Sequence, residues 1–324
     1  MLLRRGPVFG RMAETGHGAP RKKRATCLSY NETSCLGSES TNCEPAMTAT
    51  SSDPQLAWAR YMVARRVLVK VATVTRRARI DALAVKGVVT SGWLYADPSE
   101  RLLTDVDLRI RPRDFVRFIA LAQAEGWGMA RCMWSYFNAD LEVDGVQVDV
   151  EGTIGPPGLL ALSVDAMLRR ATLQPEGFWA PEIHDHALLM TINVFKDRLT
   201  QATPWGIEDL SRVVTAPGFD PASYVERVHE ARATGMAWIV ADWMERTRGV
   251  RAWADIRKRL GGDRPKRWAY TRAVGAMSRG APESLGLRVL MRAASDTPWR
   301  VPASLAIAGA WEVESRWDAW RRRR

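Results

Sequence analysis

The sequence lacks any apolar run long enough to cross a membrane, since nothing near the required stretch of about 18 residues occurs in it. It also lacks the apolar stretch of about 7 to 15 residues that a signal peptide needs. Met1–Leu3 is followed at once by Arg4 and Arg5. These absences predict a soluble, cytoplasmic protein without a membrane partner.

Cysteine is scarce, with four residues, and no Cys-x-x-Cys pair is present to begin a zinc site. Cys27, Cys35 and Cys43 lie near the start, and only Cys132 lies in the body of the chain. We therefore expect reduced thiols, as in a cytosol. No base lies near Cys132 in the sequence, so we expect a buried apolar role for it.

Charge is not spread evenly along the chain. From Arg246 to the C-terminus there are 19 basic and 7 acidic residues, whereas the preceding residues carry 28 and 29. The whole formal net charge of +11 therefore lies in the last quarter. This asymmetry excludes a uniformly basic packaging protein. It makes the C-terminal region the place to expect nucleic acid or another polyanion as a partner.

Composition and periodicity divide the chain into three parts. Residues 1–54 are rich in small and polar residues and predict a disordered tail. Residues 55–160 alternate between strand and helix patterns and predict a small mixed β-sheet with flanking helices. Strand patterns then stop, so residues 161–324 predict an all-helical, basic C-terminal domain. The predicted fold class is α+β.

Alternating polar and apolar residues predict a strand at Asp105–Ile110 and a hairpin at Leu141–Val150, whose strands are joined by Asp144-Gly145. The short apolar run at residues 82–85 predicts a further strand. Helical periodicity predicts the remaining elements, at residues 54–80, 88–95, 112–126, 188–199, 207–214, 224–233 and 236–246.

Three aspartates fall on the polar faces of these strands. Asp105 and Asp107 are two residues apart, so both side chains leave the same face, and Asp149 lies on the polar face of the second hairpin strand. If the two strands are neighbours, the carboxylates converge, and a divalent cation relieves their repulsion. Their hard oxygen atoms suit Mg²⁺ or Mn²⁺, which assist phosphoryl or nucleotidyl transfer. A solvated Asp-x-Asp pair is the open alternative.

Short motifs surround these aspartates. They are Val85-Lys86-Gly87, Tyr95, Arg101, Thr104-Asp105-Val106-Asp107-Leu108, Glu125-Gly126-Trp127, the strand with Asp149, and Trp205-Gly206-Ile207-Glu208-Asp209-Leu210. Together these motifs resemble the uncharacterised nucleotidyltransferase group of the polymerase-β superfamily, and the resemblance covers about residues 80–215.

The resemblance implies an enzyme that moves the nucleoside monophosphate group of a nucleoside triphosphate to an acceptor hydroxyl and releases pyrophosphate. It implies that Asp105 and Asp107 bind the metal ions. It also implies that Asp149 completes one metal site and helps to deprotonate the acceptor. The residues that it implies near the triphosphate are Lys86, Gly87 and Arg101.

Further residues carry weaker expectations. Arg109 and Arg111 share the strand face of Asp107, so Arg111 is expected in a structural ion pair. For Arg109, a nucleotide contact and a structural role are equal alternatives. Glu151 is either a fourth metal ligand or a solvated side chain. His184-Asp185-His186 is expected to cap a helix or to lie in a loop, because neighbours two apart do not share a helix face.

Two other functions stay open. The C-terminal region interleaves cations with aromatic residues, which favours a non-catalytic module that binds RNA or another polyanion. The expectation for tryptophan on an amphipathic helix is nevertheless burial in the core. A kinase-like phosphotransferase that uses the same metal site is the second alternative. The tryptophans concerned are Trp253, Trp268, Trp299, Trp311, Trp317 and Trp320.

Overall fold

The computed structural model describes residues 53–199, 201–261, 264–278 and 285–321. The tail predicted at residues 1–54, with three of the cysteines, lies outside this part of the chain except for its last two positions. Arg322–Arg324, which belong to the basic C-terminal region, also lie outside it.

The described chain consists of helices packed on one sheet. The helices are α1 Pro54–Arg77, α2 Gly87–Thr90, α3 Phe115–Ala124, α4 Val164–Arg170, α5 Ile183–Lys196, α6 Pro204–Val213, α7 Pro221–Glu230, α8 Thr234–Arg248, α9 Arg251–Leu260, α10 Arg264–Ser278, α11 Leu285–Ala293 and α12 Val301–Arg321. The strands are β1 Leu83–Val85, β2 Asp105–Arg109, β3 Gly128–Met133, β4 Asn138–Val143, β5 Val146–Glu151, β6 Thr172–Leu173 and β7 Trp179–Ala180.

The strands form one mixed sheet in the order β3-β4-β5-β2-β1-β7-β6. The β2/β5 and β1/β7 pairs are parallel, and the other pairs are antiparallel. The hairpin of β4 and β5 turns at Asp144 and Gly145, whose φ angles are 51° and 79°. Two positive φ angles are typical of the type I′ turn that Asp-Gly predicts. The predicted hairpin is therefore confirmed.

Each face of the sheet packs on its own hydrophobic core. Val106 and Leu108 of β2 lie in one core with apolar residues of α1 and α3. Leu83 and Val85 of β1 point the other way, into a core built largely from α5 and the helices that follow it. Because side chains alternate along a strand, the polar residues of β2 face this second layer of helices. The mixed α+β class is confirmed.

The prediction that strands stop at about residue 160 is wrong. β6 and β7 follow α4, and Leu83 of β1 pairs with Trp179 of β7, so residues 161–324 are not all-helical. These strands are two residues long, which is too short for an alternating pattern to appear. The predicted small sheet thereby gains strands at its β1 edge, and the unpredicted β3 extends the opposite edge.

Two helices, α6 and α7, start earlier than hydrophobic periodicity predicts. α6 begins at Pro204 and α7 at Pro221, each a few residues before the predicted start. Thr203 and Asp220 are the N-caps, and their side chains accept hydrogen bonds from the backbone N–H of Gly206 and Ser223, the third residue of each helix. Proline suits the first helical position, because the N–H it lacks has no partner there. These prolines therefore start helices instead of separating them.

The helix predicted at residues 88–95 ends at Thr90 and is followed by turns. None of the described helices is long and apolar enough to cross a membrane.

The start of α8 lies against the backbone that follows α11, and Gly235 lies at this contact. A substitution of Gly235 therefore tests the packing. A Cβ added at Gly235 would lie 2.0 Å from the carbonyl oxygen of Ala294. We expect Gly235→Ala to lower the free energy of unfolding by about 1–3 kcal/mol, measured by denaturant titration, because the helix must move. Gly309→Ala is the matched control, since its Cβ would meet nothing within 4 Å.

Gly309 is an exposed position within α12, where alanine raises stability by about 0.5–1 kcal/mol. Equal changes in the two variants would contradict the close contact at Gly235.

Candidate active site

The polar face of β2 opens into a cavity of about 230 Å³ that is closed on the other side by α5 and α6. The charged side chains that line it are Lys86, Arg101, Asp105, Asp107, Asp197 and Asp209. Four of the predicted site residues therefore share one cavity.

Asp105 and Asp107 lie side by side on the cavity face of β2. Val106 and Leu108 between and beyond them are fully buried on the opposite face, which fixes the direction of both carboxylates. Asp107 is 6% exposed, whereas Asp105 is half-buried and accepts a hydrogen bond from Thr104 Oγ1 at 3.1 Å. Burial and, next, repulsion by Asp107 raise the pKa of Asp105. The pair is thus crowded with negative charge.

Asp149 lies directly opposite Asp107 in the parallel β2/β5 pair. Burial raises the pKa of Asp149 to about 6, and repulsion from Asp107, Asp105 and Asp140 acts in the same direction. The hydrogen bond from Gln147 Nε2, at 2.8 Å, opposes this change. Asp149 does not line the cavity of Asp105 and Asp107. Among the described residues, no three His, Cys, Asp or Glu side chains form a ready metal cluster.

Lys86 joins β1 to α2 and is held by two contacts. Its Nζ lies 2.5 Å from Asp107 Oδ1, and its backbone N–H donates to His186 Nε2 at 2.8 Å. Burial works to lower the pKa of Lys86, but attraction by Asp107 outweighs it, so that the pKa is raised and the ammonium stays charged. The φ angle of Lys86 is +55°, which is an unusual conformation for a residue other than glycine.

His186 corrects the expectation for the His184-Asp185-His186 segment. Glu182, not one of these residues, caps α5, and all three side chains are buried. Burial lowers the pKa of His186 to about 3, so the ring is neutral. Since Nε2 accepts from the Lys86 N–H, the ring proton is on Nδ1, which has no partner among the described residues. His186 therefore positions Lys86.

The other two members of that segment have structural contacts. Asp185 is fully buried and accepts two hydrogen bonds from Arg170, at 2.6 and 2.8 Å. His184 Nδ1 contacts Glu182 at 2.5 Å, and its Nε2 accepts from the backbone N–H of Asp220. These contacts join α5 to α4 and α7.

Gly87 has a packing role that the sequence did not reveal. A Cβ at this position would lie 2.1 Å from a terminal nitrogen of Arg101 and 2.7 Å from the Leu103 side chain. The absence of a side chain therefore leaves room for the Arg101 guanidinium. Gly87 is buried and does not line the cavity.

Asp209 anchors a buried network at the back of the cavity. Arg101 Nε lies 3.0 Å from both carboxylate oxygens of Asp209, and the Tyr95 hydroxyl donates to the same carboxylate at 2.6 Å. Thr90 Oγ1 donates to it at 3.1 Å. Burial, followed by the charge of Asp209, raises the pKa of Tyr95. The motif residues Tyr95, Arg101 and Asp209 are thus brought together by the fold.

The contacts of Arg109 match the structural alternative. It is 1% exposed, pairs with Glu151 at 2.7 Å and does not line the cavity. Burial works to raise the pKa of Glu151, but Arg109 and further cations outweigh it and hold that pKa below its usual value. Arg111 pairs with Asp81 and Asp165 at 2.5 and 2.6 Å, as expected of a structural ion pair.

Two cavity residues were missed by sequence reasoning. Asn193 and Asp197 lie at the C-terminal end of α5, and both line the cavity. Burial raises the pKa of Asp197. Their spacing of four residues predicts that they share one face of the helix, but no sequence signal indicated that this face lines the cavity.

Cys132 is half-buried, so the expectation of full burial is wrong. It lies on β3, near the sheet edge, and faces acids of α12. Burial, then Glu314 and Asp318, raises the pKa of the thiol to about 11. At neutral pH the thiol is protonated and unreactive, as expected for a residue without a catalytic role.

Residues 50–248 match the family described as uncharacterised nucleotidyltransferases. The match covers more than half of the chain, so this protein belongs to that family. It is therefore a nucleotidyltransferase, and the resemblance around Asp105 and Asp107 is confirmed. A comparison with curated proteins gives no match.

Two solved structures are similar to the chain. One is a tRNA nucleotidyltransferase complexed with a primer tRNA and an incoming ATP analogue, with 13% identity, 68% of this chain and 73% of that chain covered, and a TM-score of 0.26. The other is a tRNA-processing enzyme in an apo form, with 12% identity, coverage of 78% and 77%, and a TM-score of 0.27. Both TM-scores are below 0.5, so these structures do not define an acceptor for this chain.

The Asp209 network predicts a large loss of stability when its charge is removed. Asp209→Asn would leave the buried Arg101 without its carboxylate, and breaking such a pair costs about 3–5 kcal/mol. Asp255→Asn is the matched control, because Asp255 pairs with Arg259 on the surface of α9, where both side chains are nearly half exposed.

We expect the control to change the free energy of unfolding by less than about 1 kcal/mol. Denaturant titration of both variants measures the difference. Similar values for the two would show that Asp209 does not hold this part of the fold.

Proposed function

We propose that this nucleotidyltransferase is metal-dependent and moves a nucleoside monophosphate group from a nucleoside triphosphate to an acceptor hydroxyl, releasing pyrophosphate. The observation that carries the proposal is the pair of aspartates on β2, directed into a cavity that also holds Lys86 and Arg101. Paired carboxylates bind cations, and the fixed cations attract phosphate. The bound cation and the fixed side-chain cations are both needed to bring an anionic substrate to an acidic site.

The charges of the cavity support a divalent cation. Its described lining carries four carboxylates and only two cations, so a triphosphate alone would be repelled. Mg²⁺ is usually held by one or two carboxylates together with substrate phosphates and water, which fits two aspartates without a third close ligand. Asp105 and Asp107 would hold the ion, or Mn²⁺ in its place. The ion would neutralise charge on the phosphates.

Lys86 and Arg101 are suited to bind the triphosphate because both are held in place before it arrives. Arg101 is fixed by Asp209 and by the space above Gly87, while Lys86 is fixed by Asp107 and His186. Side chains ordered in advance lose little conformational freedom when a ligand binds. A guanidinium also binds phosphate oxygens through paired donors.

In the proposed transfer, the acceptor oxygen attacks the α-phosphorus and forms the new P–O bond. The bond from that phosphorus to the bridging oxygen breaks, and pyrophosphate leaves with its electron pair. Asp149 would take the proton of the acceptor hydroxyl, since it lies directly opposite Asp107 in the sheet. The proposal thus gives Asp105 and Asp107 a binding role and Asp149 a role beside the acceptor.

The position of the transferred label tests the reaction class. The protein is incubated with Mg²⁺, a cell extract and a triphosphate labelled with ³²P at either the α- or the γ-phosphate. We expect acceptor labelling from the α-labelled substrate only. Labelling from the γ-labelled substrate would instead support the kinase-like phosphotransferase.

Neutralising the two β2 aspartates tests the site itself. Asp105→Asn with Asp107→Asn should lower the rate of α-label transfer by about 10³-fold or more, because the charge that binds the cation is lost. Asp144→Asn is the matched control, since Asp144 lies at the exposed β4/β5 turn and pairs with Lys70. Transfer that survives in the double variant would refute the proposed role of these aspartates.

We also propose that the C-terminal region contacts a polyanion, for which single-stranded RNA is the probe. Contrary to the expectation of burial, Trp268, Trp299, Trp317 and Trp320 are exposed, whereas Trp253 is fully buried.

Trp317 and Trp320 stack with ring centroids 4.9 Å apart. Cations lie over two of these rings, Arg272 over Trp268 at 4.6 Å and Arg321 over Trp317 at 5.3 Å. Arg264, Lys266 and Arg267 have side chains outside the described part.

The exposed pair gives this proposal a direct test. Replacing Trp317 and Trp320 by alanine should weaken binding of a fluorescent RNA oligonucleotide by about tenfold or more, because each stacked base contributes about 1–3 kcal/mol. Trp58→Ala, at an exposed position on α1, is the control. Fluorescence anisotropy at several salt concentrations measures both affinity and its salt dependence. Unchanged affinity in the double variant would exclude this surface.

A further inference from the structure

A second cavity, of about 400 Å³, lies between the sheet and the helices α5, α11 and α12. It continues the polar face that carries the aspartates. Glu151, two residues beyond Asp149 on β5, lies in its wall, and Arg109 opposite Glu151 is two residues beyond Asp107 on β2. Two residues along a strand correspond to about 7 Å, so the second cavity begins one step past the proposed reaction centre.

The C-terminal end of α5 connects the two cavities. Lys196 lines the second cavity, and the next residue, Asp197, lines the first. Lys86 follows Val85, the partner of Asp107, toward the Asp105 end of β2, whereas Glu151 lies at the Arg109 end. A molecule in the second cavity therefore approaches the β2/β5 aspartates from the strand end opposite Lys86. In-line transfer needs an acceptor that approaches from the side opposite the leaving pyrophosphate.

The second cavity offers both cations and aromatic rings. Lys196 and Arg292 contribute positive charge against Glu312, while Arg131, also in the lining, is already paired with Asp140 at 2.8 Å. Glu151 is already paired with Arg109, whereas Lys196 forms no ion pair with any described residue. The balance leaves a positive charge available for an anion near the end of α5.

The aromatic side of the cavity is formed by Trp311 and Tyr136, whose ring centroids are 5.9 Å apart. Burial raises the pKa of Tyr136, and a hydrogen bond with Arg292 opposes this change. The hydroxyl therefore stays protonated, and the two rings, inclined at 56° to each other, each present an apolar face beside the cations. Aromatic surfaces of this kind stack on planar groups.

The wall made by α12 is fastened to the sheet. Glu314 accepts hydrogen bonds from the backbone N–H groups of Trp134 and Ser135, at 2.7 and 3.1 Å, and from Ser135 Oγ at 2.6 Å. These bonds hold the turn between β3 and β4 against the same helix that supplies Trp311. The cavity is thus closed by specific contacts.

We infer that this second cavity binds the acceptor, and that the acceptor carries an anionic group beside a planar ring. This inference rests on the proposed function. Lys196 and Arg292 bind the anion, Trp311 and Tyr136 bind the ring, and the acceptor hydroxyl is directed toward Asp149. The anion is a phosphate monoester or a carboxylate, because both groups are negatively charged and both are recognised by such cations.

Binding of small probes to the full-length protein tests the cavity without knowledge of the natural acceptor. Calorimetric titrations use 1-naphthyl phosphate, 1-naphthoate and cyclohexyl phosphate. We expect Lys196→Met to weaken binding of the better naphthyl probe about tenfold. Trp311→Ala should weaken it by a similar factor but should change the binding of cyclohexyl phosphate less. The preferred naphthyl probe distinguishes phosphate from carboxylate recognition.

Lys70→Met is the matched control, because Lys70 is exposed on α1 and lies at neither cavity. It should bind the probe as the unchanged protein does. No probe binding, or binding that is equal in all three variants, would overturn the inference.

A second titration separates the acceptor cavity from the nucleotide cavity. The naphthyl probe should bind equally well, or better, when a non-hydrolysable triphosphate analogue and Mg²⁺ are present. Competition between the two would overturn the inference, because it would assign the second cavity to the nucleotide.

The inference and the proposed function fail in different experiments. If α-label is transferred but Lys196→Met leaves the KM for the labelled fraction unchanged, the acceptor cavity is wrong and the function stands. If the naphthyl probe binds through Lys196 and Trp311 but no α-label is transferred to any fraction, the proposed function is wrong and the cavity is not an acceptor site. Transfer with a KM raised about tenfold in Lys196→Met supports both.

Discussion

The parallel pairing of β2 with β5 is the constraint on which the rest of the site depends. Its register sets Asp107 opposite Asp149 and Arg109 opposite Glu151. The first pair brings two carboxylates together, while the second is an ion pair one step farther along the strands, with Glu151 in the wall of the second cavity. A slip of one residue would turn the aspartates into the apolar core and bring Val106 and Leu108 to the cavity. The chemistry therefore depends on a backbone register.

The cations of the site are ordered through contacts behind them. Asp209, on α6, fixes Arg101, and His186, on α5, fixes the backbone of Lys86. Both anchors come from helices that lie beyond the first five strands in the sequence. The helical layer thus contributes to the candidate site, since its contacts fix the positive charges beside the aspartates.

The sequence predicted most of what periodicity and turn chemistry control. The Asp144-Gly145 hairpin, the cavity-facing aspartates and the ion-pair role of Arg111 could all be read from local spacing. Long-range contacts could not be read in this way. The length of β7 hides its pairing with β1, and nothing near His186 indicates that its ring faces Lys86, a hundred residues away. Arg109 was equally undecided until the strand register paired it with Glu151.

The concentration of basic charge near the C-terminus bears on how an anionic substrate would first reach the protein surface. The first cavity is acidic in the absence of a cation, so long-range attraction of an anionic substrate must come from elsewhere on the surface. α12 runs from the second cavity to the exposed surface, because Trp311 lines that cavity while Trp317 and Trp320 lie exposed farther along the same helix. Six residues of helix span about 9 Å. Under the proposed function, an anionic acceptor attracted to Arg321 beside Trp317 would therefore already lie close to the second cavity.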